Sequence, residues 1–599
     1  MSGVNDFAFK IGTVNGTGSA SANALLMQAI FRMGIPVTGK NIFPSNIQGL
    51  PTWYEIRVSA DGYTGRPPVI DLIVALNPNT YKQDIAAVRP GGYVLYDSTW
   101  PLDAKLQRGD VTLLGIPLGD LCREAFERDR DRTLLRNIAY AGALAALLQI
   151  DLPVVEQMLT EKYGRKPSLR EANDRAIRLG YDYARAHFDC PLPFHCAPMD
   201  KTSGSILMDG NTACALGALY AGATVGAWYP ITPSTSLMET FAALCKEFRV
   251  DPETGLHRYC ILQAEDELAS AGMVLGANWM GARAFTCTSG PGISLMQEFL
   301  GYAYYTEIPG VFFNVQRTGP ATGLPTRTQQ ADLLSMAFAS HGDTKHIILF
   351  PADPAEAFEL TVKAFDATER YQTPVFVATD IDIGMNDWMI PRLDWDDGFV
   401  PDRGKVLDAA ALEQVQKFHR YLDNDGDGIT PRTLPGVGGK GAYFTRGSGH
   451  DKWGNYTEDS AAYQDLMDRI ARKFETAARE LPKPVFTRQQ GADVGIVMTG
   501  SPDAAVREAV DRLRDEGVVA DVMRIRAFPF APEVRAFIDA YKTVFVIEQN
   551  RDAKLRALLC IETGVPRDTM IPIIDYAGQP ITAGALVRAM QQHLTGAAR

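Results

Sequence analysis

The sequence predicts an α/β protein built from three mostly parallel-sheet domains. Three observations carry this. Apolar runs of strand length recur along the 599 residues, and each is followed by helical periodicity. The junctions between them are rich in glycine, proline and small hydroxyl residues. Two stretches, 189–205 without periodicity and 381–485 with only two clear helical patterns, interrupt the alternation. Strand–helix alternation implies parallel sheets with ligands at the C-terminal strand ends.

The elements follow in order. In 1–189, FAFKIGTV, YEIRVSA, VIDLIVAL and GYVLYDS read as strands, NALLMQAIFRMG as a helix, and most of 118–188 as helical. DCPLPFHCAPMDKTSGS then reads as a linker. In 206–380, ATVGAWYP, RYCILQ, ARAFTCT, GVFFNV, HIILF and PVFVATD are the strands. Residues 381–485 are rich in Asp, Gly, Pro and Trp and read as an irregular connecting segment. ADVGIVMTGS opens the last domain, 486–599, with KTVFVIEQN and TMIPIID among its later strands.

Composition narrows the function. Lys+Arg 59 against Asp+Glu 71 gives a net charge of −12, which argues against nonspecific nucleic-acid binding. No apolar run reaches the roughly 18 residues of a membrane helix, and MSGVNDFAFKIG lacks a signal-peptide pattern. The expected location is cytoplasmic. The eight cysteines form no C-x-x-C pair, so no metal or iron–sulfur site is expected in this chain.

Several stretches carry candidate chemistry. WYPITPST places Thr232 between Pro230 and Pro233, where the backbone is stiff. It reads either as an aimed hydroxyl at a strand end or as a strand end followed by a helix capped by Ser234 or Thr235. In QAEDELASAGMVLGANWMG, acidic residues open a helix of small side chains; Glu265 and Asp266 suit the helix dipole. Glu267 would enter an apolar interface, an expensive place for an unpartnered carboxylate. In NVQRTGPATGLPTRTQQADL, Arg317 directly follows a strand. Its planar fork suits a carboxylate, with a surface salt bridge as the bland alternative.

GTVNGTGS offers Gly16 and Gly18 between a strand and a helix. The turn can face an anion or simply be tight. DNDGDG, with Asp423, Asp425 and Asp427, resembles the start of a calcium loop. Its twelfth position is Leu434 rather than a bidentate glutamate, so a solvated acidic turn competes. Gly426-Asp427-Gly428 and Asn455, 26 residues on, have the spacing of a thiamine diphosphate motif. The flanking strands are missing, so the spacing reads as coincidence.

Taken together, YPITPS, ELASAG, TSGPGISLM, NVQRTGPATGLPT and FPF…VIEQN resemble the 2-oxoacid:ferredoxin oxidoreductases over nearly the whole chain. The likeness is to an α subunit with a γ domain fused at its N-terminus, most like the 2-oxoglutarate enzymes. It implies a CoA-associated γ-type domain, a thiamine-enzyme pyrimidine domain and a transketolase C-terminal-like domain. It implies that Thr232 lines the active site, that Arg317 binds the substrate carboxylate and that Glu267 meets the cofactor's aminopyrimidine, with Glu265 as the competing glutamate. GTVNGTGS, with Gly16 and Gly18, and FPSNIQG would serve CoA.

Thiamine diphosphate with Mg2+ and a [4Fe–4S] cluster would belong mainly to a β subunit, in an (αβ)2 assembly that passes electrons to ferredoxin. The implied reaction converts 2-oxoglutarate and CoA to succinyl-CoA and CO2, and it can run in reverse during carbon fixation. The rival readings are pyruvate or a branched-chain 2-oxoacid as substrate, a non-redox transketolase-like synthase, and a noncatalytic CoA-binding scaffold.

Overall fold

A computed structural model describes residues 3–44 and 49–596. They form two compact units. The first holds residues up to Met208 together with Asn386–Arg392 and Thr582–Ala585. Its six-stranded sheet contains β1 (Asp6–Val14), β2 (Val37–Ile42), β3 (Pro51–Ser59), β4 (Ile70–Ala75), β5 (Val88–Asp97) and β6 (Thr112–Ile116). The order is β2-β3-β1-β4-β5-β6. β3 runs antiparallel to both neighbours, and the other pairs are parallel. α1 (Ser19–Arg32), α2 (Asp129–Leu147) and α3 (Pro167–His187) share one apolar core with this sheet. The central strand β1 is buried along nearly all its length, as covering helices require.

The second unit carries two sheets. Its seven-stranded sheet uses β7 (Val225–Trp228), β8 (Cys260–Gln263), β9 (Ala284–Thr288), β10 (Gly310–Gln316), β11 (Ile347–Leu349) and β12 (Pro374–Asp380). The five-stranded sheet uses β13 (Val485–Thr487), β14 (Val494–Thr499), β15 (Ala520–Ile525), β17 (Thr543–Glu548) and β18 (Met570–Ile574). The two-residue strand β16 (Ala527–Phe528) leaves the C-terminal segment and pairs antiparallel with β11 at the edge of the larger sheet. The larger sheet therefore runs β8-β7-β9-β10-β12-β11-β16, and the smaller β13-β15-β14-β17-β18. One apolar cluster, including Phe312, Phe376, Val497, Phe528 and Val546, packs residues of both segments together. The segments 206–380 and 486–599 thus share a core.

Between Leu393 and Asp459 the chain is largely irregular. Buried charge, rather than apolar packing alone, ties it down. Glu307 is 1% exposed and lies between Arg469 and Lys473 of α7 (Ser460–Glu480), at 2.6 and 2.9 Å. Arg420 donates to the Glu307 carbonyl at 2.8 Å. Glu369 is gripped by Arg283, Arg403 and Arg432 at 2.8, 2.8 and 3.1 Å. Among the described residues, no helix is long and apolar enough to cross a membrane.

Burial alone would push the Glu307 carboxyl up, but the charges of Arg469, Lys473 and Arg420 hold it far below its usual range. Its stabilisation is therefore complete above the ordinary glutamate value and is lost as pH falls below it. Glu307→Ala leaves Lys473 and Arg469 uncompensated and should cost about 3–5 kcal/mol, read from denaturant midpoints at neutral pH. The gap between wild type and variant should narrow in acid.

Candidate functional site

Three turns converge at the C-terminal ends of β7, β8, β9 and β10. The first is YPITPST, between β7 and α4 (Thr235–Phe248). The Thr232–Pro233 peptide is cis. The Ser234 and Thr235 hydroxyls both donate back to the Ile231 carbonyl, at 3.1 and 3.3 Å, so neither side chain caps the helix as the sequence allowed. Asn211 Nδ2 holds the Pro233 carbonyl at 2.8 Å. Thr232 meets Arg317 through its backbone: its carbonyl accepts from Arg317 Nη1 at 2.5 Å.

The second turn precedes α5 (Glu267–Trp279). Asp266 is the cap, its Oδ1 accepting from Ala269 N–H at 2.7 Å. Cap and first-turn acid are thereby separate residues. Glu267 is 5% exposed, whereas Glu265 is exposed to solvent. The third turn, TSGPG, leads from β9 into the short helix α6 (Gly290–Leu295). A Cβ at Gly292 would lie 2.8 Å from Glu267 Cγ, so only glycine lets this turn and that glutamate approach so closely.

Arg317, just past β10, is 7% exposed. Its Nη1 is used by Thr232, and its Nε has no partner. Burial lowers the guanidinium's pKa, opposed by the negative charges of Asp332 and Glu267. Ser289 Oγ on the third turn and Asn211 Oδ1 beside the first are further buried polar atoms without partners. A buried, unpaired guanidinium N–H is costly unless a ligand completes it. These residues fit an anionic substrate beside Arg317 and a cofactor beside Glu267.

The loop after Arg317 is held by the C-terminal segment. Gln330 Nε2 donates to Asp380 Oδ2 at 3.1 Å, and the Gln330 backbone N–H donates to the Gln549 carbonyl at 2.9 Å. Asn550 Nδ2 donates to the Gln330 carbonyl at 3.1 Å. Burial pushes the neighbouring Glu548 carboxyl up to about 7, despite hydrogen bonds from Arg556 N–H, Asn550 and Leu555 N–H. The VIEQN stretch thus serves the loop that follows the site arginine. Sequence reasoning missed Gln330 and Asp332, because QQAD reads only as a polar lead into a helix.

Other motifs have different outcomes. Gly16 and Gly18 both adopt positive φ, 88° and 87°, which glycine accepts without strain. Gly18 caps α1 without a side-chain bond, and Asn137 Nδ2 holds the Thr17 carbonyl at 2.7 Å. These glycines lie in the first unit, whereas Thr232, Glu267 and Arg317 lie in the second. Of FPSNIQG, residues 45–48 fall outside the described residues.

Asp423, Asp425 and Asp427 do converge. Lys405 Nζ binds Asp425 at 2.6 Å and Asp427 at 2.8 Å, and Asp423 accepts from Gly426 and Gly428 N–H. An ammonium thus stands where a metal would. Asn455 bonds Asp451 in an exposed turn, in keeping with a coincidental GDG spacing.

Comparison with known proteins places this architecture. Residues 8–183 match the family described as pyruvate ferredoxin/flavodoxin oxidoreductase. Residues 216–410 match pyruvate flavodoxin/ferredoxin oxidoreductase, thiamine diphosphate-binding, and 492–578 match pyruvate:ferredoxin oxidoreductase core domain II. The α subunit of 2-oxoacid:ferredoxin oxidoreductase 2 from Aeropyrum pernix is 31% identical over 98% of both chains. The 2-oxoglutarate synthase subunit KorA of Methanothermobacter thermautotrophicus is 33% identical over 61% of this chain and 93% of its own. The 2-oxoglutarate:ferredoxin oxidoreductase of Magnetococcus marinus, solved with 2-oxoglutarate, coenzyme A and succinyl-CoA bound, superposes with a TM-score of 0.88. It is 29% identical, over 98% of this chain and 100% of that one. The chain belongs to the 2-oxoacid:ferredoxin oxidoreductase family.

Because the Lys405 ammonium already sits between Asp425 and Asp427, millimolar Ca2+ should leave the thermal unfolding temperature of the wild-type protein unchanged. A Ca2+-dependent rise would show that the ammonium yields to the metal.

Proposed function

We propose that this chain is the fused γ/α subunit of a CoA-acylating 2-oxoglutarate:ferredoxin oxidoreductase. It converts 2-oxoglutarate and CoA to succinyl-CoA and CO2 in the cytoplasm. The observation that carries the site reading is Arg317, buried, anchored by Thr232 and left with an unpaired Nε. The names of the KorA relative and the Magnetococcus marinus enzyme support 2-oxoglutarate over pyruvate or a branched-chain acid. Residues 1–189 form the γ-type, CoA-associated domain, with Gly16 and Gly18 at its anion-facing turn. Residues 206–380 form the pyrimidine-binding domain and 486–599 the transketolase C-terminal-like domain, with 381–485 connecting them. A β subunit supplies most of the thiamine diphosphate and Mg2+ site and the [4Fe–4S] cluster, in an (αβ)2 assembly that reduces ferredoxin.

Arg317 holds the substrate carboxylate with Nε and the free face of its fork. The Thr232 carbonyl fixes the fork's orientation, which lowers the entropy lost on binding. Glu267 sits where water is largely excluded and shares a proton with the cofactor's aminopyrimidine. When bound, thiamine diphosphate supplies the carbanion chemistry that breaks the bond between keto carbon and carboxylate.

The test is reconstitution. The isolated chain should be colourless and inactive, and a β subunit should restore CoA-dependent 2-oxoglutarate oxidation with iron–sulfur absorbance. Turnover by the chain alone would refute the assignment. In the complex, Arg317→Ala should weaken use of the 2-oxoacid by about 2–5 kcal/mol, with CoA and ferredoxin affinities little changed and Arg317→Lys only partly restoring it. Glu267→Gln should assemble and bind cofactor, with kcat lowered about 10²–10⁴-fold. The exposed Glu265→Gln should do far less. Reversed behaviour of these two variants would move the catalytic role to Glu265.

A further inference from the structure

Every carbonyl from Ile231 to Ser234 is in use. The Ile231 carbonyl accepts from the Ser234 N–H at 2.9 Å and from the Ser234 and Thr235 hydroxyls. The Thr232 carbonyl accepts from Arg317. The Pro233 carbonyl accepts from Asn211 Nδ2 at 2.8 Å. The Ser234 carbonyl accepts from the Leu237 N–H at 3.0 Å and from Cys287 Sγ of β9 at 3.5 Å. Asn211 sits in the first turn of the helix Gly210–Tyr220 and is 0% exposed. Its amide nitrogen also donates to Ser236 Oγ at 2.8 Å, in the first turn of α4. Reversing the amide would set its oxygen against the Pro233 carbonyl oxygen. The helix itself has a fixed seat on the segment after β12. A Cβ at Gly384 would lie 2.9 Å from Asn211 Oδ1, and one at Gly210 would lie 2.6 Å from the Ile383 carbonyl oxygen.

Asn211 and Arg317 therefore hold neighbouring peptide groups. The proline ring fixes φ of residue 233, and the peptide bond before it is planar. Only ψ of Pro233 then separates the direction of its carbonyl from that of Thr232. A donor that holds the first carbonyl sets the direction of the second. Arg317 depends on that direction, because its Nη1 is committed to Thr232 while its Nε has no partner. Turning the Thr232 carbonyl would turn or release the fork.

We infer that Asn211 is a positioning residue for the 2-oxoacid. Through the Pro233 carbonyl it fixes the Thr232 carbonyl, and through that carbonyl the open side of Arg317. Fully buried, it acts through the turn rather than on the substrate. The inference rests on the carboxylate-binding role proposed for Arg317.

The test is a double-mutant cycle in the reconstituted complex. Asn211→Leu keeps most of the side-chain volume and removes the donor. In the wild-type background it should lower kcat/KM for 2-oxoglutarate about tenfold, the order of one buried hydrogen bond. The loss should sit in KM, with kcat, the KM for CoA and the bound thiamine diphosphate unchanged. In the Arg317→Ala background the same replacement should change kcat/KM by less than about twofold, because the fork it positions is gone. Ser236→Ala removes the amide's other partner and keeps the Pro233 contact, so it should leave KM unaltered. Equal losses in both backgrounds would give Asn211 a general structural role and overturn the inference. So would a loss in kcat alone, an Asn211→Leu enzyme equal to wild type, or a Ser236→Ala variant as impaired as Asn211→Leu. Failure of both Asn211→Leu and Asn211→Ala to assemble would overturn it too, by assigning the residue to folding. If Arg317→Ala uses the substrate as well as wild type, the Arg317 reading falls and this inference with it. If Arg317→Ala is impaired but the two replacements act independently, the inference alone falls.

Discussion

A single contact organises the site: the Arg317 guanidinium donating to the Thr232 carbonyl at 2.5 Å. A buried arginine needs its charge offset and its N–H groups occupied. One N–H is spent on a carbonyl presented by the stiff turn between Pro230 and Pro233. Glu267 and Asp332 supply the offsetting charge. Each carboxyl group approaches because TSGPG has glycine where a side chain would collide. Gln330, anchored by Asp380, Gln549 and Asn550, holds the loop that ends in Asp332. Residues from 232 to 550 therefore cooperate to leave the Arg317 Nε–H open.

Much of this was legible in the sequence because parallel strands buried on both faces read as continuous apolar runs. GVFFNVQ and PVFVATD are such runs, and both are wholly buried. Strands of two residues carry no such signal. β16 was therefore not legible as a strand separate from β15, nor was the pairing that joins the C-terminal segment to the edge of the larger sheet. The irregular stretch after Leu393 was legible as irregular but not as anchored. Its anchors are ion pairs between residues as distant as Glu307 and Lys473, and composition does not say which charge meets which.

The same limit governed the site. Thr232, Glu267 and Arg317 stood out because each breaks a local pattern, and the fold brings their turns to one end of the sheet. What each atom does was not legible. A hydroxyl between two prolines invites a side-chain role, yet the carbonyl makes the contact with arginine. Three aspartates at alternate positions invite a metal, yet Lys405, 18 residues before Asp423 in the sequence, fills the space between two of them. Gln330 and Asp332 break no pattern, so only the folded chain shows them at the site.

The most direct measurement is a crystal structure of the assembled complex soaked with 2-hydroxyglutarate, which lacks the keto carbon and so keeps its C1 carboxylate. The account predicts the C1 carboxylate on Arg317, with Nε now hydrogen-bonded and Nη1 still on Thr232, and the cofactor's aminopyrimidine against Glu267 rather than Glu265. A substrate carboxylate bound away from Arg317, with Nε still unpaired, would contradict it.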